Sequence, residues 1–341
     1  MLKLRTIEAF DGDCILISFS NNNRTHNILI DGGINRTYVK SLRNILNEIK
    51  VKGNFIDLLI VTHIHDDHIG GIIEFYRDIN FDKNIVKKVW FNSKALLGEI
   101  ANDLEDCTDE ISLSVIDNNK MGIRSGNTLE RILKQHDSWQ EIVIQFGEEL
   151  EIEGAKITVI NPRLEGIKAL KKVMRVEEDE SALKSAKEKD YHEKIADLII
   201  RDFNEDKSDT NRTSIAFIFE CANKKVLLLG DAWPSDIVSS LENLGYSKEN
   251  KLRVDYVKIS HHASKKNTNN ELLDLLDCQN FIISTDGSKH GLPNKEALAR
   301  IIVGKNPVNL YFNYDIYKSI FTAEEIQTYN FQCFEMKEIE V

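Results

Sequence analysis

VTHIHDDHIGG, residues 61–71, places three histidines and two aspartates within the six positions from His63 to His68. The apolar run Leu58–Val61 leads into it, and IGGIIEFYRDI, with helical spacing, follows. A short apolar run reads as a buried strand and the periodic tract as a helix, so the cluster occupies a loop at the carboxyl end of a strand. Side chains there are free to converge. His63 and His65 are alternate residues, which leave an extended segment on the same side and can chelate one ion. Asp67 and His68 sit at the turn into the helix and can aim at a second. Imidazole and carboxylate suit Zn²⁺, and also Mn²⁺ or Fe²⁺, without any thiolate.

The reading extends outward from this loop. KLRTIEAF, CILISF and HNILID are expected to be strands, separated by the turn-like DGD and SNNNRT. Tyr38 to Ile49 has helical spacing, IVKKVWF reads as another strand, and a mostly helical tract runs to about His136. A second β-rich group begins at EIVIQF, continues through LEIEGAKITVI and stops at Asn161-Pro162. Residues 163–209 change character: charged residues dominate, yet Leu164, Ile167, Leu170 and Met174 recur at helical spacing, as do Tyr191, Ile195, Leu198 and Ile199. This predicts two amphipathic helices inserted into a β-rich framework, as a solvated decoration, a substrate lid, or a contact for a protein partner or a second copy. Strands and helices then alternate from SIAFIFE to VNLYFN.

Two β-rich halves, each closed by helices, fit an α/β architecture (α+β by some schemes), a four-layer αββα sandwich of two mixed β-sheets. Only 4 prolines are present and no Gly/Ser/Pro-rich stretch divides the chain, so residues 1–341 are expected to form one domain interrupted by the 163–209 insertion.

The net charge of −11 does not suit non-specific binding to polyanions through clustered Lys and Arg. A nucleotide or nucleic-acid substrate stays open, because a metal site supplies local positive charge. The cysteines Cys14, Cys107, Cys221, Cys278 and Cys333 are scattered without a CxxC spacing, which argues for free thiols in a reducing, cytoplasmic setting. No apolar run reaches the roughly 18 residues of a membrane span, and MLKLRTIEAF alternates rather than forming a signal-peptide core.

Read as His63-Ile64-His65-Asp66-Asp67-His68, the cluster resembles the HxHxDH signature of the metallo-β-lactamase superfamily. Within it, the chain resembles the branch related to the hydrolase domain of the competence protein ComEC. GDCILISF and NILIDGG, ending at Asp31-Gly32-Gly33, are similar to that branch's opening, and NRTSIAFIF resembles its N-x-x-S strand. LLLGDA carries the Gly-Asp pair, KISHHAS resembles its HHGS with Ala263 in place of Gly, and HGLPN resembles a late His-Gly-His-Pro segment. The resemblance covers most of the chain outside 163–209 and implies a cleft for two divalent ions, Zn²⁺ or else Mn²⁺, between two sheets.

Carried over residue by residue, it implies that His63 and His65 bind the first ion and that Asp67 and His68 bind the second. Asp231 would bridge them, His262 would complete the second site, and His261 would face the substrate. Two dications held about 3.5–4 Å apart repel strongly, so an anion between them meets a physical need. Asp31 would hold the HxHxDH loop from behind, as carboxylates that orient metal-bound imidazoles do. Many members have a further histidine between signature and bridging aspartate; here only His136 and His192 lie in that interval, in contexts unlike that motif.

The implied chemistry is hydrolysis by a hydroxide generated between two metals, oriented by Asp67. His261 and His290 are candidates to bind an oxygen of the attacked group or to protonate the leaving group. Lys265, Lys266 and Lys289 flank these loops and favour an anionic substrate, either a small molecule or a nucleic acid. The ComEC-type resemblance, together with SHHAS and His290, implies the activity of a phosphodiesterase or nuclease on a nucleotide, cyclic nucleotide or nucleic acid. Hydrolysis of a lactone, β-lactam or thioester is the alternative at the same site, and a partner-gated effector in a larger assembly is another. Diiron oxygen reduction is disfavoured, because that branch has Glu where this chain has His65.

Overall fold

Leu58–Val61 is the hinge point of the architecture, with all its side chains buried. Leu58 and Ile60 face the apolar layer between the sheets, while Leu59 and Val61 face the layer under the helices. A strand covered on both faces needs an uninterrupted apolar run, which is what the sequence supplies.

The structure, a computed structural model, describes residues 2–103, 120–175 and 189–341. The first sheet runs Glu338–Glu340, Leu2–Thr6, Ile15–Asn21, Arg24–Ile30, Leu58–Val61, Val89–Phe91. Its pairings are antiparallel as far as Arg24–Ile30 and parallel beyond. The second sheet runs Phe331–Glu335, Val308–Phe312, Asn280–Ile283, Tyr256–Lys258, Lys224–Leu228, Ala216–Cys221, Ala155–Asn161, Glu149–Ile152. It is parallel as far as Lys224–Leu228 and antiparallel from there on.

Both sheets are thus mixed, and they share one core. Ile17, Phe19, Ile28 and Ile60 of the first meet Val159, Phe217, Phe219 and Leu228 of the second, with the Phe19 and Phe219 rings 5.7 Å apart. On the outer face of the first sheet, Leu46 of helix Arg43–Val51 and Ile69 and Ile72 of helix Asp66–Arg77 pack over Leu59. Helices Pro234–Asn243 and Lys295–Gly304 cover the second sheet through Ile237, Leu241, Leu298 and Ile302. The layers are helix, sheet, sheet, helix, as the sequence reading anticipates.

The structure corrects two expectations. EIVIQF is not a strand: the backbone N–H and carbonyl of Ile144 are both taken by the side chain of Asn92, at 2.8 and 2.7 Å, so this extended segment pairs with an amide group instead of a ladder. In the insertion, the first amphipathic helix is present as Leu164–Arg175, but the second is a single turn, Ile195–Leu198. Ile195 and Leu198 are buried in the second sheet's outer core and Ile199 packs against it, so their spacing reflects docking onto that layer rather than a continuous helix. Residues 176–188 of the insertion, and Cys107, lie outside the described residues. Cys14, Cys221, Cys278 and Cys333 are free. Among the described residues no helix is long and apolar enough to cross a membrane.

Phe219 is fully buried where the two sheets meet. Phe219→Ala is expected to destabilise the chain by roughly 3–5 kcal/mol, through lost burial and the cavity left behind. Urea unfolding checks this, with a lowered midpoint and an unchanged slope.

Candidate metal centre

The histidine loop is held by a backbone crossing that only glycines permit. Gly32 N–H donates to the His68 carbonyl at 2.7 Å, and Gly71 N–H donates to the Gly33 carbonyl at 2.9 Å. A Cβ on Gly71 would lie 2.0 Å from the Gly32 carbonyl oxygen, so a larger residue would push the two segments apart. Asp66 and Asp67 occupy the first turn of helix Asp66–Arg77, where the helix dipole favours carboxylates.

On this support the side chains converge. His63 Nε2 lies 3.0 Å from His65 Nδ1 and 3.6 Å from Asp231 Oδ2. His68 Nε2 lies 3.4 Å from the other oxygen of Asp231, Oδ1, and 3.9 Å from Asp67 Oδ2. His262 Nε2 is 3.4 Å from Asp67 Oδ2. His63, His65 and Asp231 form one group able to hold a metal ion, and Asp67, His68 and His262 form a second. Asp231, at the end of the apolar strand Lys224–Leu228 and the turn after it, shows one carboxylate oxygen to each. Its N–H is pinned by Ser214 Oγ at 3.2 Å, within the Asn-x-x-Ser segment.

The donor set fits a cation. His68 Nε2, His262 Nε2 and Asp231 Oδ1 are buried with no hydrogen-bond partner among the described residues. Leaving such a group unpaired costs about 1–3 kcal/mol. The opposite nitrogens are fixed from behind. His68 Nδ1 is 2.8 Å from Asp31 Oδ2, and Asp31 also accepts from the N–H and hydroxyl of Thr62, each at 2.8 Å. His262 Nδ1 donates to the Ser284 carbonyl at 2.7 Å. Both imidazoles therefore turn Nε2 toward the cluster, one backed by a carboxylate and the other by a backbone carbonyl, as metal-ligating imidazoles are.

Electrostatics point the same way. Burial alone would lower the pKa of His262, but Asp13 and Asp67 outweigh it and raise the value to about 10. Burial likewise opposes the charge on His68, and Asp231, Asp31 and Asp67 override it, raising its pKa well above the ordinary value. Burial and the neighbouring His68 keep His63 neutral, its pKa well below the ordinary value. Burial would raise the Asp231 carboxyl, but His261, His68 and His63 hold it far below the usual range. The carboxylates of Asp13, Asp31, Asp67 and Asp231 thus favour positive charge at His68 and His262.

Two residues that the sequence reading passed over belong to this site. Lys258, 1 % exposed, places Nζ 2.5 Å from Asp13 Oδ2, while Asp13 Oδ1 stands 3.4 Å from His262 Nδ1. Asp13 N–H also donates to the Asp67 carbonyl at 3.1 Å, so the GDC segment braces the second group twice. Asp13, Asp31 and His68 make a third possible metal group, but there the Lys258 ammonium already supplies the cation. An alternating strand such as VDYVKIS with lysine at a core position was the available signal.

Other expected residues behave differently. His290 is exposed in its loop and outside all three groups, as are His136, which packs on Tyr76, and the exposed His192. The charges of Lys289 and Lys265 are matched, by Asp11 at 2.8 Å and by Glu296 at 3.5 Å.

Residues 7–106 match the family model of the metallo-beta-lactamase superfamily. Among curated proteins, the hydroxyacylglutathione hydrolase of Aliivibrio salmonicida (strain LFI1238) is 32% identical over 77 residues, which are 23% of this chain and 27% of that relative. The match thus spans about a quarter of that protein's length. Solved structures of similar shape include the metallo-beta-lactamase fold protein YhfI of Bacillus subtilis, at 11% identity and a TM-score of 0.40 over 100% of both chains. Zn²⁺-bound PqqB of Methylobacterium extorquens is 9% identical, with a TM-score of 0.44 over 99% of this chain and 100% of that one.

Asp31→Ala should weaken metal affinity about 10–100-fold, measured by competition with a chromogenic chelator. Metal binding also has a defined pH sign. Because His68 and His262 hold protons at neutral pH in the metal-free fold, loading must expel them. Calorimetry in buffers of different ionisation enthalpy should show proton release at pH 7, and affinity rising as pH climbs toward 10.

Proposed function

We propose that the chain is a metal-dependent hydrolase of phosphodiester bonds, with a nucleotide or a nucleic acid as its substrate. The observation that carries the hydrolytic reading is Asp231, which presents one oxygen to the His63–His65 group and the other to the group of His68. A carboxylate so placed suits two cations a few ångströms apart. Divalent ions held by these two groups would supply an activated water at neutral pH and would neutralise charge building on the attacked group. The phosphodiester assignment rests on the ComEC-type motifs.

The chain's own residues divide the remaining work. Asp67, one-quarter exposed, is the carboxylate of the second group that reaches the open side, where it can orient water and take its proton. His261, also one-quarter exposed, puts Nε2 3.7 Å from Asp231 Oδ2, beside the same opening. It is placed to meet an oxygen of the substrate. His63, His68 and Asp231 are buried and hold the floor of the site.

A second reading is hydrolysis of a thioester or another carbonyl substrate. The hydroxyacylglutathione hydrolase relative favours it over the short stretch that matches.

The test is metal content paired with turnover of bis-p-nitrophenyl phosphate and of a hydroxyacylglutathione. Wild-type chain loaded with Zn²⁺ or Mn²⁺ should hold about two ions and cleave the phosphodiester. Asp231→Ala should lose metal and at least about 100-fold in kcat/KM, because it leaves two imidazole groups without their shared anion. Turnover of the thioester alone would replace the first reading by the second. A chain that binds no metal would overturn both.

A further inference from the structure

His261, His262 and Ala263 are three consecutive non-glycine residues in the left-handed region, with φ of 47°, 52° and 63°. That conformation costs about 1 kcal/mol or more per residue and persists only where the surroundings over-determine it. The backbone is fastened at both ends: His261 N–H donates to the Gly230 carbonyl at 2.9 Å, and Asn294 N–H donates to the Ala263 carbonyl at 3.0 Å. The ring of His262 is tied to Ser284, as described above. The ring of His261 is tied to something the catalytic reading does not use.

Its Nδ1 points away from the cleft into a polar cradle, 3.0 Å from Asn267 Oδ1 and 3.4 Å from Asp206 Oδ2. Asp206 is itself immobilised. Its Oδ1 accepts from the N–H groups of Lys207 at 2.8 Å and Ser208 at 3.2 Å. Its Oδ2 accepts from the amide groups of Asn211 at 2.7 Å and Asn267 at 3.2 Å. Because Asn267 gives its Nδ2 to Asp206, it must turn Oδ1 toward the imidazole. The Asn211 amide nitrogen also lies 3.3 Å from Nδ1, but it donates to Asp206 at 2.7 Å, and the oxygens of Asn267 and Asp206 beside the ring make Nδ1 the hydrogen-bearing nitrogen. The same Asn267 amide reaches the Asp231 carbonyl at 3.2 Å, so the cradle also touches the residue shared by the two metal groups.

We propose that Asp206 is a positioning residue for catalysis: with Asn267 it fixes the ring and tautomer of His261, so that Nε2 alone faces the cleft beside Asp231. The proposal rests on the hydrolytic reading above and deepens it. In the reaction the ring enters as the imidazolium, with Nδ1–H held by the cradle, and its Nε2–H gives its proton to the departing oxygen as that phosphorus–oxygen bond breaks and the bond to the attacking water's oxygen forms, leaving the neutral Nδ1–H tautomer. The neutral ring then regains a proton from the water that has been added. Asp206 is outside both metal groups and acts through the ring of His261. It comes from the return segment of the 163–209 insertion, which gives that segment a part in the site.

A double-mutant cycle on the metal-loaded chain tests this. Asp206→Ala should lower kcat/KM for bis-p-nitrophenyl phosphate about 10–100-fold with metal content unchanged. In a His261→Gln background the same change should cost less than about twofold, since the ring it positions is gone. Asp206→Asn, which keeps an oxygen for the cradle, should recover part of the loss and guards against a misfolded alanine variant. Ring ¹⁵N spectra supply a readout independent of turnover: in wild type the neutral form of His261 should be the Nδ1–H tautomer, so that only Nε2 gains or loses hydrogen, and in Asp206→Ala the neutral form should be a mixture. Equal losses in both backgrounds, or a tautomer unchanged by the substitution, would overturn the proposal. If wild type cleaves no phosphodiester, the functional reading fails separately, and the spectra alone decide the role of Asp206.

Discussion

The imidazole of His68 is fully buried, with Asp31 against one nitrogen and, among the described residues, no hydrogen-bond partner on the other. Much of the architecture serves that asymmetry. Asp31 can reach the ring only because the Asp31-Gly32-Gly33 turn lies directly on the first turn of helix Asp66–Arg77, and that approach depends on Gly32 meeting Gly71 backbone to backbone. The helix is set at that height by Leu58–Val61, the strand that feeds it. The second sheet then brings Asp231 and His262 to the exposed side of the same ring from the opposite direction. Each sheet therefore contributes half of a charge arrangement that neither could bury alone.

Charge balance explains why the site tolerates so many ionisable groups. Aspartates 13, 31 and 231 lie within a few ångströms of His68, His262 and Lys258, all of them buried. Lone buried charges of this kind would be strongly destabilising, and pairing is what makes them tolerable. The pairing is layered: Lys258 answers Asp13 beneath the site, while the imidazoles answer Asp231 within it. The chain as a whole has a net charge of −11, and the nearby Lys265 and Lys289 are matched by acids of their own.

How much of this was legible in the sequence depended on the distance over which each interaction acts. The HxHxDH loop was legible because strand, loop and helix are contiguous, and the periodicity of each is visible. The layer order followed from the same local signals. Asp13 and Lys258, by contrast, are 245 positions apart, and nothing in either neighbourhood names the other. Asp206 lay inside a stretch whose charge suggested solvent, yet it is held by five donors from three segments. EIVIQF had a strand's composition and lost its ladder to one asparagine side chain, which no propensity registers. Tyr191, Ile195, Leu198 and Ile199 showed a helix's spacing, but it is the core beneath them that uses it.

The left-handed run at His261–Ala263 has a consequence for selectivity. A loop clamped in an unfavourable backbone conformation by Gly230 and Asn294 has already lost the freedom that ordering would remove. An occupant then meets a cage of nearly fixed radius rather than one that shrinks or swells to suit it. Cages of that kind sort ions by size and preferred coordination angles, whereas loose ones sort them chiefly by abundance. For an ion held by His262, the strained turn would thus act as a gauge, with that ligand's place set by the fold before the ion arrives.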